Sequence, residues 1–263
     1  MRVICCLKQV PDTTEIKIDP VKGTLIREGV PSIMNPDDKA GLEVALQLKD
    51  KYGAEVVVLS MGPMQATEII REAFAMGADR GILLSDFKFA GADTLATSSA
   101  LAGAIRKLEP YDIIIMGRQA IDGDTAQVGP ETAELLDLPQ VSYVKSLEYK
   151  EDGTCLVTRK VEDRSYVLRV KTPVVLTVLG EEVEPRYMSV AGILKAFREM
   201  EVEIWSADKI DVDVTTLGLK GSPTQVKQSF GKQLKAAGHT YDNVSAAEGA
   251  KLILEALIDK NLL

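Results

Sequence analysis

Ile113-Ile-Ile-Met-Gly117-Arg118-Gln119-Ala120-Ile121-Asp122-Gly123-Asp124-Thr125-Ala126-Gln127-Val128 reads as a buried strand that stops at a glycine and opens into a loop of small and polar residues. A helical pattern, Glu131–Leu136, follows almost at once. Strand, glycine-containing loop, helix is the arrangement in which free N–H groups at a helix start meet a phosphate. Asp122 and Asp124 oppose that reading, because like charge repels phosphate, unless they cap the helix or bond a ribose through their carboxylates. The stretch matches neither GxGxxG nor GxxxxGK[ST]. Residue chemistry alone therefore leaves two readings open, a nucleotide-binding loop and a structural turn.

Working outward, the first half of the chain repeats the same alternation. Val3–Leu7, Val56–Leu59 and Ile82–Leu84 are further short apolar runs that suit buried strands. Between the runs lie apolar residues at i, i+3, i+4, i+7 spacing: Gly41, Val44, Ala45, Leu48; then Ala66, Ile69, Ile70, Ala73; then Leu101, Ala104, Ile105, Leu108. The first of these helices has a marked start. Asn35 is its expected cap, Pro36 suits the first turn, and Asp37 and Asp38 suit the positive end of the dipole. Strands separated by helices predict an α/β fold, a mostly parallel sheet flanked by helices on both faces. In such a sheet the carboxyl ends of the strands line the ligand crevice. Cys6–Val10, Ser60-Met61-Gly62-Pro63 and Gly91-Ala-Asp93-Thr94-Leu-Ala-Thr97 would all meet the Gly117–Val128 loop there.

Other segments depart from the alternation. Glu15–Asp19 and Thr24–Arg27 suit a β-hairpin inserted between the first strand and the first helix. From Ser142 an antiparallel extension is expected: Val144–Tyr149 and Thr154–Lys160 around the turn Lys150-Glu-Asp-Gly153, then Ser165–Val170 and Val174–Leu179. A short amphipathic helix, Ala191–Glu199, a Gly/Ser/Thr/Gln-rich stretch near 217–240, and a helix at Ala246–Asp259 complete the chain. A weakly apolar tail after a finished sheet suggests an arm that packs on something else, with a solvated tail as the alternative.

Composition narrows the function classes. The 263 residues, 46% of them apolar, suffice for an ordinary core. A net charge of −8 argues against a nucleic-acid partner, which needs clustered Lys and Arg. No apolar run approaches the ~20 residues of a membrane span, and the first residues lack a signal-peptide core, so a cytoplasmic protein without membrane insertion is expected. Cys5, Cys6 and Cys155 have no metal-ligand spacing and suit reduced structural thiols. A lone histidine, His239, argues against a Ser-His or Cys-His nucleophile and against a multi-His metal site.

Several blocks together resemble the beta (small) subunit of electron-transfer flavoproteins: Gln119-Ala-Ile-Asp122, Met34-Asn-Pro36, Ala75-Met-Gly-Ala-Asp-Arg80, and Glu184-Pro-Arg-Tyr187 followed by Ile193 and Lys195-Ala196. The resemblance runs from residue 2 to about residue 205 and is looser in the tail. It implies a layout like that of the adenine nucleotide alpha hydrolases, with an antiparallel extension and a C-terminal arm. Residues 1–185 would form the nucleotide- or flavin-binding domain, and 186–263 a docking loop and an arm on the larger alpha subunit. That heterodimer holds a shared FAD, and the beta subunit binds a second adenine nucleotide. Carried over by position, the second site uses Cys6, Asn35, Pro36, Asp37, Asp38, Met61 and Gly117 through Val128.

Two subtypes share this frame. In the electron-carrying type the second site holds structural AMP. In the bifurcating type it holds a second FAD that takes a hydride from NADH and splits the electrons between the shared FAD and ferredoxin or flavodoxin. Asp122-Gly-Asp-Thr-Ala-Gln-Val-Gly-Pro130 and Asp93-Thr94…Thr97 resemble bifurcating members, the reading favoured here. Thr94 and Thr97 suit hydrogen bonds to a flavin ring, with helix capping at Asp93 or Thr94 as the other use of these residues. The flavin would do the chemistry and the protein the positioning, with no general acid or base. Near Val190 the family carries a loop that docks acyl-CoA dehydrogenases, and Val is less bulky than the leucine-type anchor of some members. A stand-alone adenine-nucleotide hydrolase is a competing class. It is disfavoured because Cys6-Leu-Lys-Gln-Val10 is not a Ser-Gly-Gly-type pyrophosphate loop. A nucleotide-sensing module without redox partners is the third.

Overall fold

A computed structural model describes residues 1–12, 31–227 and 238–263 of the chain. The first half runs β1 (Arg2–Leu7), β2 (Gln9–Pro11), β3 (Ser32–Met34), α1 (Pro36–Tyr52), β4 (Glu55–Met61), α2 (Thr67–Met76), β5 (Arg80–Leu84), α3 (Thr94–Arg106), β6 (Ile113–Gly117) and α4 (Val128–Leu135). The second half adds β7 (Gln140–Tyr149), β8 (Thr154–Val161), β9 (Arg164–Lys171), β10 (Val174–Val178), α5 (Val190–Arg198), β11 (Val202–Trp205), α6 (Gly218–Gly221) and α7 (Ala246–Asp259). Nine strands form one sheet in the order β11-β5-β4-β1-β6-β10-β7-β8-β9. Every pairing from β11 to β7 is parallel, and β8 and β9 continue it antiparallel. The α/β fold is the one that the alternating pattern predicts.

Burial explains the arrangement. Successive residues of β1 point to opposite faces. Val3, Cys5 and Leu7 join the core under α1 and α2, and Ile4 and Cys6 join the core under α3. Ile113, Ile114 and Ile115 are fully buried, which a central strand covered on both faces requires. Burying each contributes about 1.5–3 kcal/mol relative to an exposed side chain. Ile114→Asp would place a charge in that layer. The three cysteines are free and buried, and burial pushes the Cys155 thiol up to about 11 and those of Cys5 and Cys6 upward as well. Such thiols are poor nucleophiles.

The structure departs from the sequence pattern in three places. Val174–Val178 does not extend the antiparallel part: β10 inserts between β6 and β7, parallel to both. All five of its residues are buried, so it is an interior strand. Second, Val202–Trp205, not expected as a strand, pairs with β5 and forms the far edge of the sheet. Third, the 217–240 stretch supplies Leu217 to the α3-side core. The expected hairpin at 15–27 lies outside the described residues. Flanking it, β2 pairs antiparallel with β3 between β1 and α1.

Arg186 pairs with two carboxylates of α1. Its guanidinium donates to both carboxylate oxygens of Glu43 at 2.8 and 3.0 Å and to Asp50 at 2.8 Å. This fork binds the segment after β10 to α1. Although burial pushes the Glu43 carboxyl up, the Arg186 hydrogen bonds outweigh it and hold the group below its ordinary range.

Candidate functional site

The chain reverses direction across the sheet at β1. β4 and β5 lie on one side of it and β6 on the other. At such a switch point the loops leaving neighbouring strands diverge and open a crevice at their carboxyl ends. Here the two strands are β1, ending at Leu7, and β6, ending at Gly117.

The start of α1 fixes both walls. Asp38 accepts the N–H of Lys8 at 2.8 Å with one oxygen and the N–H of Gly117 at 2.9 Å with the other. Gly117 has to be glycine, because a Cβ there would stand 2.7 Å from the Asp38 nitrogen. Burial pushes the Asp38 carboxyl up to about 7, and the N–H groups of Lys8 and Gly117 pull against that rise. Asp37 takes the next tie: its Oδ1 accepts the Gly180 N–H at 3.1 Å, and its Oδ2 faces the Arg118 Nε at 3.3 Å. That second contact is an ion pair without hydrogen-bond alignment. Arg118 also faces Glu181 at 3.8 Å and is committed to this corner.

Asn35, expected as the helix cap, makes no side-chain cap. Its carboxamide is spent on the loop, donating to the Gln119 carbonyl at 2.8 Å and accepting the Ile121 N–H at 3.1 Å. Its backbone N–H meets the Lys8 carbonyl at 2.9 Å. A fully buried Asn35 thus joins the β1 exit to the Gly117–Val128 loop. Pro36 occupies the first turn as expected.

The loop projects from this anchor. The N–H groups of Gly123 and Asp124 fold back onto the Ala120 carbonyl at 3.1 and 2.9 Å. Asp124 and Ala126 hold φ of 49° and 53°, a left-handed backbone that costs an alanine roughly 1–2 kcal/mol. Such strain persists where the surroundings impose it and concentrates at functional sites. Gly123 faces open space, with no atom within 4 Å of the point a Cβ would occupy. Neither aspartate caps α4, whose first position follows an uncapping Gln127. Asp122 instead receives the Lys8 ammonium at 2.6 Å, and Asp124 receives the Gln119 carboxamide at 2.9 Å. The Lys8 ammonium offsets the charge of Asp122, while Asp124 keeps its own beside a neutral carboxamide.

The start of α3 adds a further side. Asp93 is its cap: the side chain accepts the Ala96 N–H at 3.0 Å and the Thr224 N–H and hydroxyl at 3.0 and 2.8 Å. Capping thus accounts for Asp93. Thr94 turns toward α4 and reaches Glu131 at 3.1 Å and Gln127 at 3.4 Å. Thr97 lies one turn further on, half-buried. Cys6, the last residue but one of β1, lies inside the α3-side core, and Met61 ends β4 half-buried beside it. Thr125 and Gln127 are exposed, and Ala120 and Val128 half-buried. The expected residues therefore come from five chain segments to one end of the sheet. A separate open depression of about 500 Å³, lined by Val44, Leu48, Tyr52, Lys145 and Glu182 among others, shares no residue with this crevice.

Residues 22–210 match the Electron transfer flavoprotein domain. The chain belongs to the electron transfer flavoprotein family. It is 58% identical over 262 residues, 99% of each chain, to the electron transfer flavoprotein subunit beta of Clostridium acetobutylicum. It is 48% identical over 264 residues, covering both chains fully, to the Caffeyl-CoA reductase-Etf complex subunit CarD of Acetobacterium woodii. It is 43% identical over 246 residues, about nine-tenths of each chain, to the acryloyl-CoA reductase electron transfer subunit gamma of Anaerotignum propionicum. This electron transfer flavoprotein chain is thus a small, beta-type subunit of an electron transfer complex. No helix among its described residues is long and apolar enough to cross a membrane.

Three residues of this flavoprotein subunit escaped the sequence reading: Lys8, Ser98 and Glu131. Lys8 follows a strand end already marked as a crevice wall, so its position was a usable signal. Ser98 and Glu131 sit inside helical patterns. Only the packing of α3 against α4 brings them together.

Proposed function

We propose that this chain is the small subunit of a heterodimeric, electron-bifurcating electron transfer flavoprotein. Its crevice holds a second FAD, which when bound supplies the redox chemistry between NADH and two acceptors. One acceptor is the shared FAD held mainly by the alpha subunit, which passes electrons to an acyl-CoA dehydrogenase-type partner. The other is ferredoxin or flavodoxin.

The observation that carries the proposal is the Gly117–Val128 loop, anchored by Asn35 at the switch point and left open above Gly123. The residues fit an adenine nucleotide bearing a bulky ring. A flat ring needs the open space above Gly123, and the Lys8 ammonium stands beside the same loop, paired with Asp122. Cys6, Asn35, Pro36, Asp37, Asp38 and Met61 act in this scheme mainly as walls and ties. Thr94, Thr97 and the Gly123 end of the loop would border the ring, and Asp93 holds the start of α3 in place. The names of the reductase-complex relatives support an acyl-CoA-linked partner.

Residues 186–263 supply the docking surfaces in this proposal. Val190 and Phe197 on α5 are 77% and 64% exposed, while Ala196 holds the helix against the domain. α7 starts with a complete Ser245–Glu248 capping box yet buries no residue, and Ile253, Leu254 and Ile258 stay exposed. A well-capped amphipathic helix with an uncovered apolar side suits an arm that lies on the alpha subunit.

The test is cofactor content after co-expression with an alpha subunit. Two FAD per heterodimer support the proposal. One FAD and one AMP would make this an electron carrier with a structural nucleotide. A colourless monomer that hydrolyses ATP would remove the whole reading.

A further inference from the structure

Thr94 stands at the crevice edge with one hydroxyl proton and two lone pairs. Two acceptors compete for that proton. The Glu131 Oε1 lies at 3.1 Å and carries charge, whereas the Gln127 Oε1 lies at 3.4 Å and is neutral. A carboxylate has no proton to return, and a charge-assisted bond is roughly twice as strong as a neutral one. The Thr94 proton therefore goes to Glu131. The Gln127 carboxamide can present either end, and its NH2 end would occupy at most one of the two lone pairs of Thr94.

Glu131 is itself held in place. Its other oxygen, Oε2, lies 3.1 Å from the hydroxyl of Ser98, which is fully buried one turn below Thr94 on α3. The Ser98 proton has two further acceptors, the carbonyls of Thr94 at 2.8 Å and of Val128 at 3.3 Å. Glu131 lies in the first turn of α4. The Glu131 carboxylate thus stands between two hydroxyls of α3, within hydrogen-bond reach of each, where α3 packs on α4.

We infer that Glu131 is a positioning residue that fixes Thr94 as a hydrogen-bond acceptor toward the bound nucleotide, so that the crevice selects a ring presenting an N–H. Thr94 then accepts from the ring rather than donating to it. The ligand chemistry is an N–H donor on a flat heterocycle, which a flavin offers in its ring imide and an adenine in its exocyclic amino group. This inference rests on the nucleotide-binding reading of the crevice.

The test compares paired ligands on the purified heterodimer depleted of its second-site nucleotide. One titration uses FAD against N3-methyl-FAD, the other AMP against N6,N6-dimethyl-AMP. The wild type is expected to prefer the N–H form of its own ligand by about tenfold or more, the scale of one lost hydrogen bond to a buried partner. Glu131→Gln can return an N–H to Thr94 and free its proton, and the preference should fall to within about threefold. Thr94→Val should do the same, and Thr94→Ser should keep it. A merely structural Glu131 would weaken both members of a pair equally and leave their ratio unchanged. That result, or equal binding of both members by the wild type, overturns the inference alone. Failure to bind any of the four ligands overturns the crevice reading as well.

Discussion

Asp38 accepts the backbone N–H of Gly117 at 2.9 Å. The same carboxylate accepts the N–H of Lys8, so one side chain at the start of α1 joins the ends of β1 and β6. These are the two strands between which the crevice opens. The site is set by the switch in strand order, and the acidic first turn of α1 holds it to shape.

The two glycines of the loop should respond in opposite ways. Gly117→Ala pushes a Cβ against the backbone of Asp38 and should destabilise the protein by about 1–3 kcal/mol, read by urea denaturation. Gly123→Leu meets no protein atom within 4 Å of its Cβ, so the fold should keep its stability to within about 0.5 kcal/mol. In the heterodimer the same leucine should block the second cofactor and spare the shared FAD. Unchanged flavin stoichiometry would contradict the loop assignment.

Asn35→Asp separates the two bonds of the buried carboxamide. The acceptor for Ile121 survives, but the donor to the Gln119 carbonyl becomes a second acceptor. A loss of about 1–3 kcal/mol is expected, with weaker retention of the second nucleotide measured by extraction and chromatography. Full nucleotide retention at lowered stability would show that the anchor serves the fold alone.

Asp38 gives a pH dependence of defined sign. Burial raises its carboxyl from the ordinary range to about 7. The folded state therefore binds the proton more tightly than the unfolded chain. Stability from this group is complete below the ordinary carboxylate pKa and is lost as pH rises through about 7. Asp38→Asn lacks this titration. Relative to the wild type, the variant should gain on the order of 2–4 kcal/mol between about pH 4 and about pH 8 in denaturation experiments. A stability difference that stays flat over that span would refute the raised carboxyl.

Arg186→Ala leaves the buried Glu43 carboxylate without its guanidinium. A loss of about 2–4 kcal/mol is expected, less than for a fully buried pair because Arg186 retains 31% side-chain exposure. Adding Glu43→Gln should recover part of it, since the neutral side chain costs less to bury. A double variant no better than the single one would place the loss elsewhere.

Much of this architecture was legible in the residues. A short β-branched run of isoleucines at 113–115 suits a strand covered on both faces, and the i, i+3, i+4 patterns mark the helices. Gly117 marks the strand end where the backbone of α1 approaches. Other features depend on contacts distant in sequence. Asn35-Pro36 has the composition of a helix start, yet the Asn35 carboxamide finds stronger use 84 and 86 residues away. Val174–Val178 has the same apolar character whether it pairs parallel or antiparallel, and only its neighbours decide. Thr94 and Glu131 are separated by 37 residues, and nothing in either helix announces their bond.

The most direct test of the bifurcating assignment is an anaerobic titration of the purified heterodimer with NADH, followed at flavin wavelengths. The expected result is two FAD per heterodimer, both reduced by NADH, with delivery of electrons to ferredoxin or flavodoxin when an acyl-CoA dehydrogenase-type acceptor is present. One FAD with one AMP, and a spectrum that NADH leaves unchanged, would contradict it.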